Sequence, residues 1–153
     1  MKKQFAILAL AALIFMACGE DDEPTAEDCT GEVCTATVGA NETAATVPTN
    51  LHGTFVTELT YAESNSPVDL GTEATFTISA TKLVVSIDGR DCFSIENPVH
   101  RFGATSTSGN YTFKAACIED IAFNISANTD GTLNEINLEK ASGTGFYGQF
   151  TVR

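Results

Sequence analysis

The stretch EATFTISATKLVVSIDGRDCFSI, residues 73–95, decides the fold. Phe76 and Ile78 alternate with Thr75, Thr77 and Ser79, and Leu83, Val85 and Ile87 then fall together on one side of the next run. Successive side chains of a strand point to opposite faces, so each run presents an apolar face and a face for solvent. Asp88-Gly89, ahead of DCFSI, predicts a two-residue hairpin, because a type I′ turn needs positive φ at both central positions.

The same period of two extends outward in both directions. HGTFVTELTY, residues 52–61, sets Phe55, Thr57, Leu59 and Tyr61 against Val56, Glu58 and Thr60. NYTFKAAC (110–117), IAFNISA (121–127), TLNEINLE (132–139) after the Asp130-Gly131 turn, and FYGQFTV (146–152) complete the set. No helical periodicity as long as ten residues follows Leu51, so the domain is all-β. The count is eight strands if ENPVHRFGATSTS, residues 96–108, is a loop.

Eight antiparallel strands joined mainly by short turns predict a small up-and-down barrel, with a β-sandwich as the alternative. Such a barrel is just wide enough to be filled by side chains or to hold one small ligand. Phe55, Phe76, Phe93, Phe113, Phe123 and Phe150, with Ile125, form its inner wall. They are either core or the lining of a site for a small apolar ligand.

FMACGEDDEPTAED, residues 15–28, says how the domain is held. Met1-Lys2-Lys3-Gln4 is followed by thirteen apolar residues, Phe5 to Ala17. That is a signal-peptide pattern and too short for a transmembrane helix, which needs about 20 apolar residues. Ala17-Cys18 resembles the lipobox of bacterial lipoproteins, which implies cleavage before Cys18 and diacylglycerol on its thiol. Each buried methylene of such an anchor contributes about 0.8 kcal/mol.

Residues 20–32 hold seven acids and no Lys or Arg, a density that keeps the segment extended. An acidic run after a lipidated cysteine also resembles the surface-export signal of Bacteroidetes lipoproteins, which implies an outer-membrane, outward-facing location. A solvated spacer is the alternative reading. The expected organisation is signal peptide 1–17, lipidated acidic tether 18–50 and β-barrel domain 51–153.

Without residues 1–17 the chain has 6 basic and 20 acidic side chains, a net charge of −14. Nucleic acid is therefore disfavoured as a partner, since that affinity comes largely from Lys and Arg neutralising phosphates. A basic protein partner is compatible. Cys29, Cys34, Cys92 and Cys117 are an even set in an exported chain and are expected to be oxidised. Of the three connectivities, Cys29–Cys34 around CTGEVC and Cys92–Cys117 inside the domain are favoured. Pairing Cys92 opposite Cys117 puts Phe93 and Ile95 on the face away from Tyr111 and Phe113, so a bulge, or a bridge at the rim, is expected there.

Two further resemblances bear on function. Gly53-Thr54-Phe55 resembles a variant of the lipocalin Gly-x-Trp motif, and Arg153 resembles the arginine that caps it. Lipocalin-like lipoproteins share this plan of lipidated cysteine, acidic tether and small barrel, which implies a small apolar ligand at the open end. SGNYTF, residues 108–113, resembles part of the Ser-Gly-x-x-Tyr loop of membrane-bound lysozyme inhibitors. That likeness implies a protein-binding module opposing a basic hydrolase, assisted by electrostatic steering.

Nothing in the sequence points to catalysis, a cofactor or a metal. His52 and His100 have no ligand partner at helical or hairpin spacing. Ser108 has no histidine at a recognisable spacing to activate it. His100, Arg101 and Phe102 fall in the longest loop, Glu119-Asp120 at a tight turn, and Asp88, Arg90 and Asp91 at a hairpin tip as a surface ion pair.

Overall fold

A computed structural model describes residues 29–101 and 109–153 of the chain. All eight expected strands occur, and three short ones join them. The strands are β1 (Val33–Thr35), β2 (Glu42–Ala44), β3 (Gly53–Ala62), β4 (Glu73–Ile78), β5 (Lys82–Ile87), β6 (Phe93–Glu96), β7 (Val99–Arg101), β8 (Asn110–Lys114), β9 (Ile121–Ala127), β10 (Leu133–Lys140) and β11 (Gly143–Val152). They make one curled half-barrel sheet in the order β1-β6-β5-β4-β3-β11-β10-β9-β8-β7-β2.

β3 to β6 and β8 to β11 are two meanders, and β3 pairs with β11 to join them. The edges are β1, parallel to β6, and β2, antiparallel to β7. These edge strands are consecutive in the chain, so residues 36–41 connect one edge of the curled sheet to the other. Among the described residues the first strand thus begins at Val33, inside the segment 18–50 read as tether from the sequence. Cys18 and most of the acidic run lie outside the described residues.

The cysteine pairing corrects the expected one: Cys29 bridges Cys92 and Cys34 bridges Cys117, across 63 and 83 residues of chain. The reason is that Val33–Thr35 is a strand laid alongside β6. Cys34 pairs in register with Ile95 in a parallel ladder, which carries it away from Cys29 and into the core. The expected bulge between Cys92 and Cys117 goes with that pairing. Phe93, Ile95, Tyr111 and Phe113 all belong to one buried cluster.

The expectation of a loop over 96–108 is also corrected, because Val99–Arg101 is a strand between β2 and β8. Asn97 reverses the chain before it at φ 62, a left-handed conformation that Asn tolerates better than most residues. Residues 102–108 lie outside the described residues. The Asp88-Gly89 hairpin is longer than predicted: only Gly89 has positive φ, and residues 88–92 separate β5 from β6.

The inner face is mainly apolar; the buried Thr57 hydroxyl on it donates to the Ala74 carbonyl at 2.9 Å. Phe76, Phe113, Phe123 and Phe150 are fully buried with Leu59, Leu83, Ile95, Ile125 and Ile136. Phe76 meets Phe123 and Phe150 edge-on, with ring centres 5.4 and 5.2 Å apart, the arrangement favoured by the ring quadrupoles. Val47 and Leu51 add to this core from the segment before β3.

The edges are held by ion pairs as well as the bridges. Lys114 on β8 donates to Glu42 on β2 at 2.5 Å and to the Thr37 carbonyl at 2.6 Å. Arg101 on β7 lies 3.5 Å from Glu42 and 2.8 Å from Glu139 on β10.

Candidate groove at the Phe93 end

The groove is assembled by three segments that converge on Phe93. The Cys29–Cys92 bridge ties residues 29–32 to the start of β6, where the Ser94 amide donates to the Glu32 carbonyl at 2.9 Å. Gly31 permits this approach, since a Cβ there would lie 1.6 Å from the Cys92 carbonyl oxygen. The turn between β8 and β9 supplies Ile118 and Glu119, and the 88–92 connection supplies Arg90 and Asp91.

Two adjoining hollows of about 500 and 560 Å³ share Asp91, Phe93 and Ile118. Phe93 and Ile118 make an apolar floor, joined by Ile121 on one side, and Glu32, Asp91 and Glu119 are acids on its rim. Arg90 donates to Glu119 at 3.0 Å and to the Pro67 carbonyl at 2.5 Å. That corrects the expected pairing of Arg90 with Asp88 or Asp91: the guanidinium spans to another loop and leaves Asp91 to the rim. A smaller hollow of about 260 Å³ follows the second bridge, beside Cys34, Lys114 and Cys117.

Of the six phenylalanines read as ligand wall, Phe93 alone borders one of these hollows. Phe76, Phe113, Phe123 and Phe150 are packed into the core, and Phe55 is half-buried against it. Arg153, likened to a motif-capping arginine, binds Glu58 on β3 at 2.6 Å and Glu73 on β4, so it secures the carboxyl end of β11.

The remaining candidates are structural. His52 Nε2 meets the Val47 carbonyl at 2.9 Å and His100 Nδ1 the Asn110 carbonyl at 2.9 Å. Asp120 binds the amide and hydroxyl of Ser142, and these hydrogen bonds, with Lys140 nearby, hold its carboxyl below the ordinary range. Phe102 and Ser108 lie outside the described residues. Sequence reasoning missed Ile118, Ile121 and Glu32 as groove residues, because nothing local in the sequence signals that residues 29–32 and 115–121 meet at Phe93. Among the described residues no group of three or more His, Cys, Asp or Glu side chains is placed to hold a metal ion, and no helix is long and apolar enough to cross a membrane.

Comparison of the chain with protein-family models, with curated proteins and with solved structures found no match.

Proposed function

We propose that this chain is a lipid-anchored, outward-facing lipoprotein whose β domain binds a basic protein through its surface, at the acid-rimmed groove around Phe93 and Ile118. The observation that supports this most is the packing of Phe76, Phe123 and Phe150 against one another. Rings that fill the interior leave binding to the loops and the outer surface. Residues 29–153 contain 14 acids and 6 bases, and Glu32 and Asp91 on the groove rim have no ion-pair partner among the described residues. Such a field draws a cationic partner at a rate that salt suppresses.

A small apolar ligand is the second reading, favoured by the Phe93 and Ile118 floor. That ligand would lie in the groove and not among the core rings. A lysozyme, as a basic hydrolase, serves as the probe for the first reading. Its affinity is expected to fall steeply between low and physiological salt, where the screening length shortens to about 8 Å. Asp91→Asn and Glu32→Gln should each weaken it. Absence of binding to basic hydrolases at low salt, or affinity indifferent to salt and to both variants, would contradict the protein-binding reading.

A further inference from the structure

A second surface, sharing no residue with the groove, lies on the outer face of β10, β11 and β3. Thr112, Asn124, Asn137, Gln149 and Tyr61 follow one another in register across β8, β9, β10, β11 and β3. Alternation predicts Tyr61 on the inner face with Leu59. The register shifts, however: Gln149 pairs with Tyr61 and Phe150 with Leu59, so Thr60 is an extra residue. A bulge of this kind re-aims the side chain beyond it, and Tyr61 is 50 % exposed.

Tyr61 lies 6.0 Å from the Tyr147 ring at an angle of 51°. The Tyr147 hydroxyl donates to Asn137 Oδ1 at 2.6 Å, Asn137 Nδ2 donates to Glu135 Oε1 at 3.2 Å, and Gln149 Nε2 donates to Glu135 Oε2. Each oxygen of Glu135 thus accepts one neutral amide, and no cation pairs with this carboxylate among the described residues. Burial first, then the charges of Glu135, Glu139 and Tyr61, push the Tyr147 hydroxyl above its ordinary pKa.

We propose that this face seats an arginine side chain of a protein partner. A guanidinium is planar, so it stacks on the exposed Tyr61 ring while its edge donates to a carboxylate. A carboxylate has about four lone-pair positions, so Glu135 keeps acceptor capacity on both oxygens after the two amides are served. Those amides also hold it in place, which lowers the ordering cost of binding. Lysine, a compact charge without a planar face, matches the ring less well.

The test is amide-resolved NMR on the full chain, isotope-labelled, oxidised and kept in detergent, titrated with the peptide acetyl-Gly-Arg-Gly-amide. The same peptide with citrulline, a neutral isostere of arginine, is the control. The arginine peptide is expected to move the signals of Tyr61, Glu135, Tyr147 and Gln149, and citrulline to move them much less. Tyr61→Ala and Glu135→Gln should each weaken the effect by about two- to fivefold, and Tyr61→Phe should retain it. Equal shifts with citrulline, no shifts at all, or shifts confined to Glu32 and Asp91 would overturn the assignment. The last outcome would leave the groove proposal intact, so the two are separable.

Discussion

Glu42 shows how a single side chain holds an edge of the sheet. Burial pushes its carboxyl up, but the Lys114 hydrogen bond, the Gly39 amide and the charges of Lys114 and Arg101 together outweigh this and hold it below its ordinary value of 4.5. A carboxylate with a lowered pKa contributes stability that is complete above the unfolded value and is lost as pH falls through the folded one. Glu139 has the opposite sign: burial raises its pKa against the pull of Arg101, so its charge costs stability at neutral pH and that cost is relieved on acidification. Below pH 4.5 the Glu42 contribution is the one being lost. Glu42→Gln should destabilise the domain at neutral pH by about 1–3 kcal/mol and flatten the acid limb of the stability profile. Urea titrations across pH would show it. An acid limb as steep in the variant as in the parent would assign the acid sensitivity to other carboxylates.

At the scale of elements the edge strands are the decisive feature. β1 and β2 have three residues each, too few to persist alone; the Cys34–Cys117 bridge holds β1, and ion pairs from Arg101 on β7 and Lys114 on β8 to Glu42 hold β2. In the chain-entropy account, closing loops of 63 and 83 residues stabilises by about 4 kcal/mol each, with less than the sum for interleaved loops. Replacing Cys34 and Cys117 together by serine should lower stability by about 2–4 kcal/mol and raise the hydrogen exchange of residues 33–44 ahead of the core strands. Non-reducing peptide mapping of the parent should link Cys29 to Cys92 and Cys34 to Cys117; a Cys29–Cys34 peptide would refute the parallel pairing of β1 with β6.

The elements also show what the sequence reveals and what it conceals. Residues 73–78 and 82–87 follow the alternation that puts Phe76, Ile78, Leu83, Val85 and Ile87 inside, and all five are buried. Alternation reports which face is apolar but not which distant segment lies alongside. The parallel partner of Val33–Thr35, the bridges it carries and the groove they build therefore had no local signature. The Tyr61 bulge was concealed for a related reason: an extra residue is defined by its partner strand, here β11, and not by the strand that contains it.

On the scale of the molecule, the sheet has a filled interior and two proposed binding surfaces. The Cys29–Cys92 bridge forms part of the groove, so an anchor on Cys18, as proposed, would attach the chain eleven residues before the proposed binding region. If Cys18 carries the anchor, Cys18→Ala should yield an unprocessed precursor without acyl chains; a processed, membrane-bound variant would remove the lipoprotein reading.

If the phenylalanines fill the half-barrel, binding belongs to its surface. Native mass spectrometry of residues 19–153, secreted into an oxidising compartment and purified without detergent, tests this most directly. The expected result is the bare polypeptide mass, reduced by the hydrogens lost in forming the Cys29–Cys92 and Cys34–Cys117 bridges. A mass excess released by organic solvent, and abolished by filling the interior but not by altering Glu32 or Asp91, would contradict it and place an apolar ligand among the core rings.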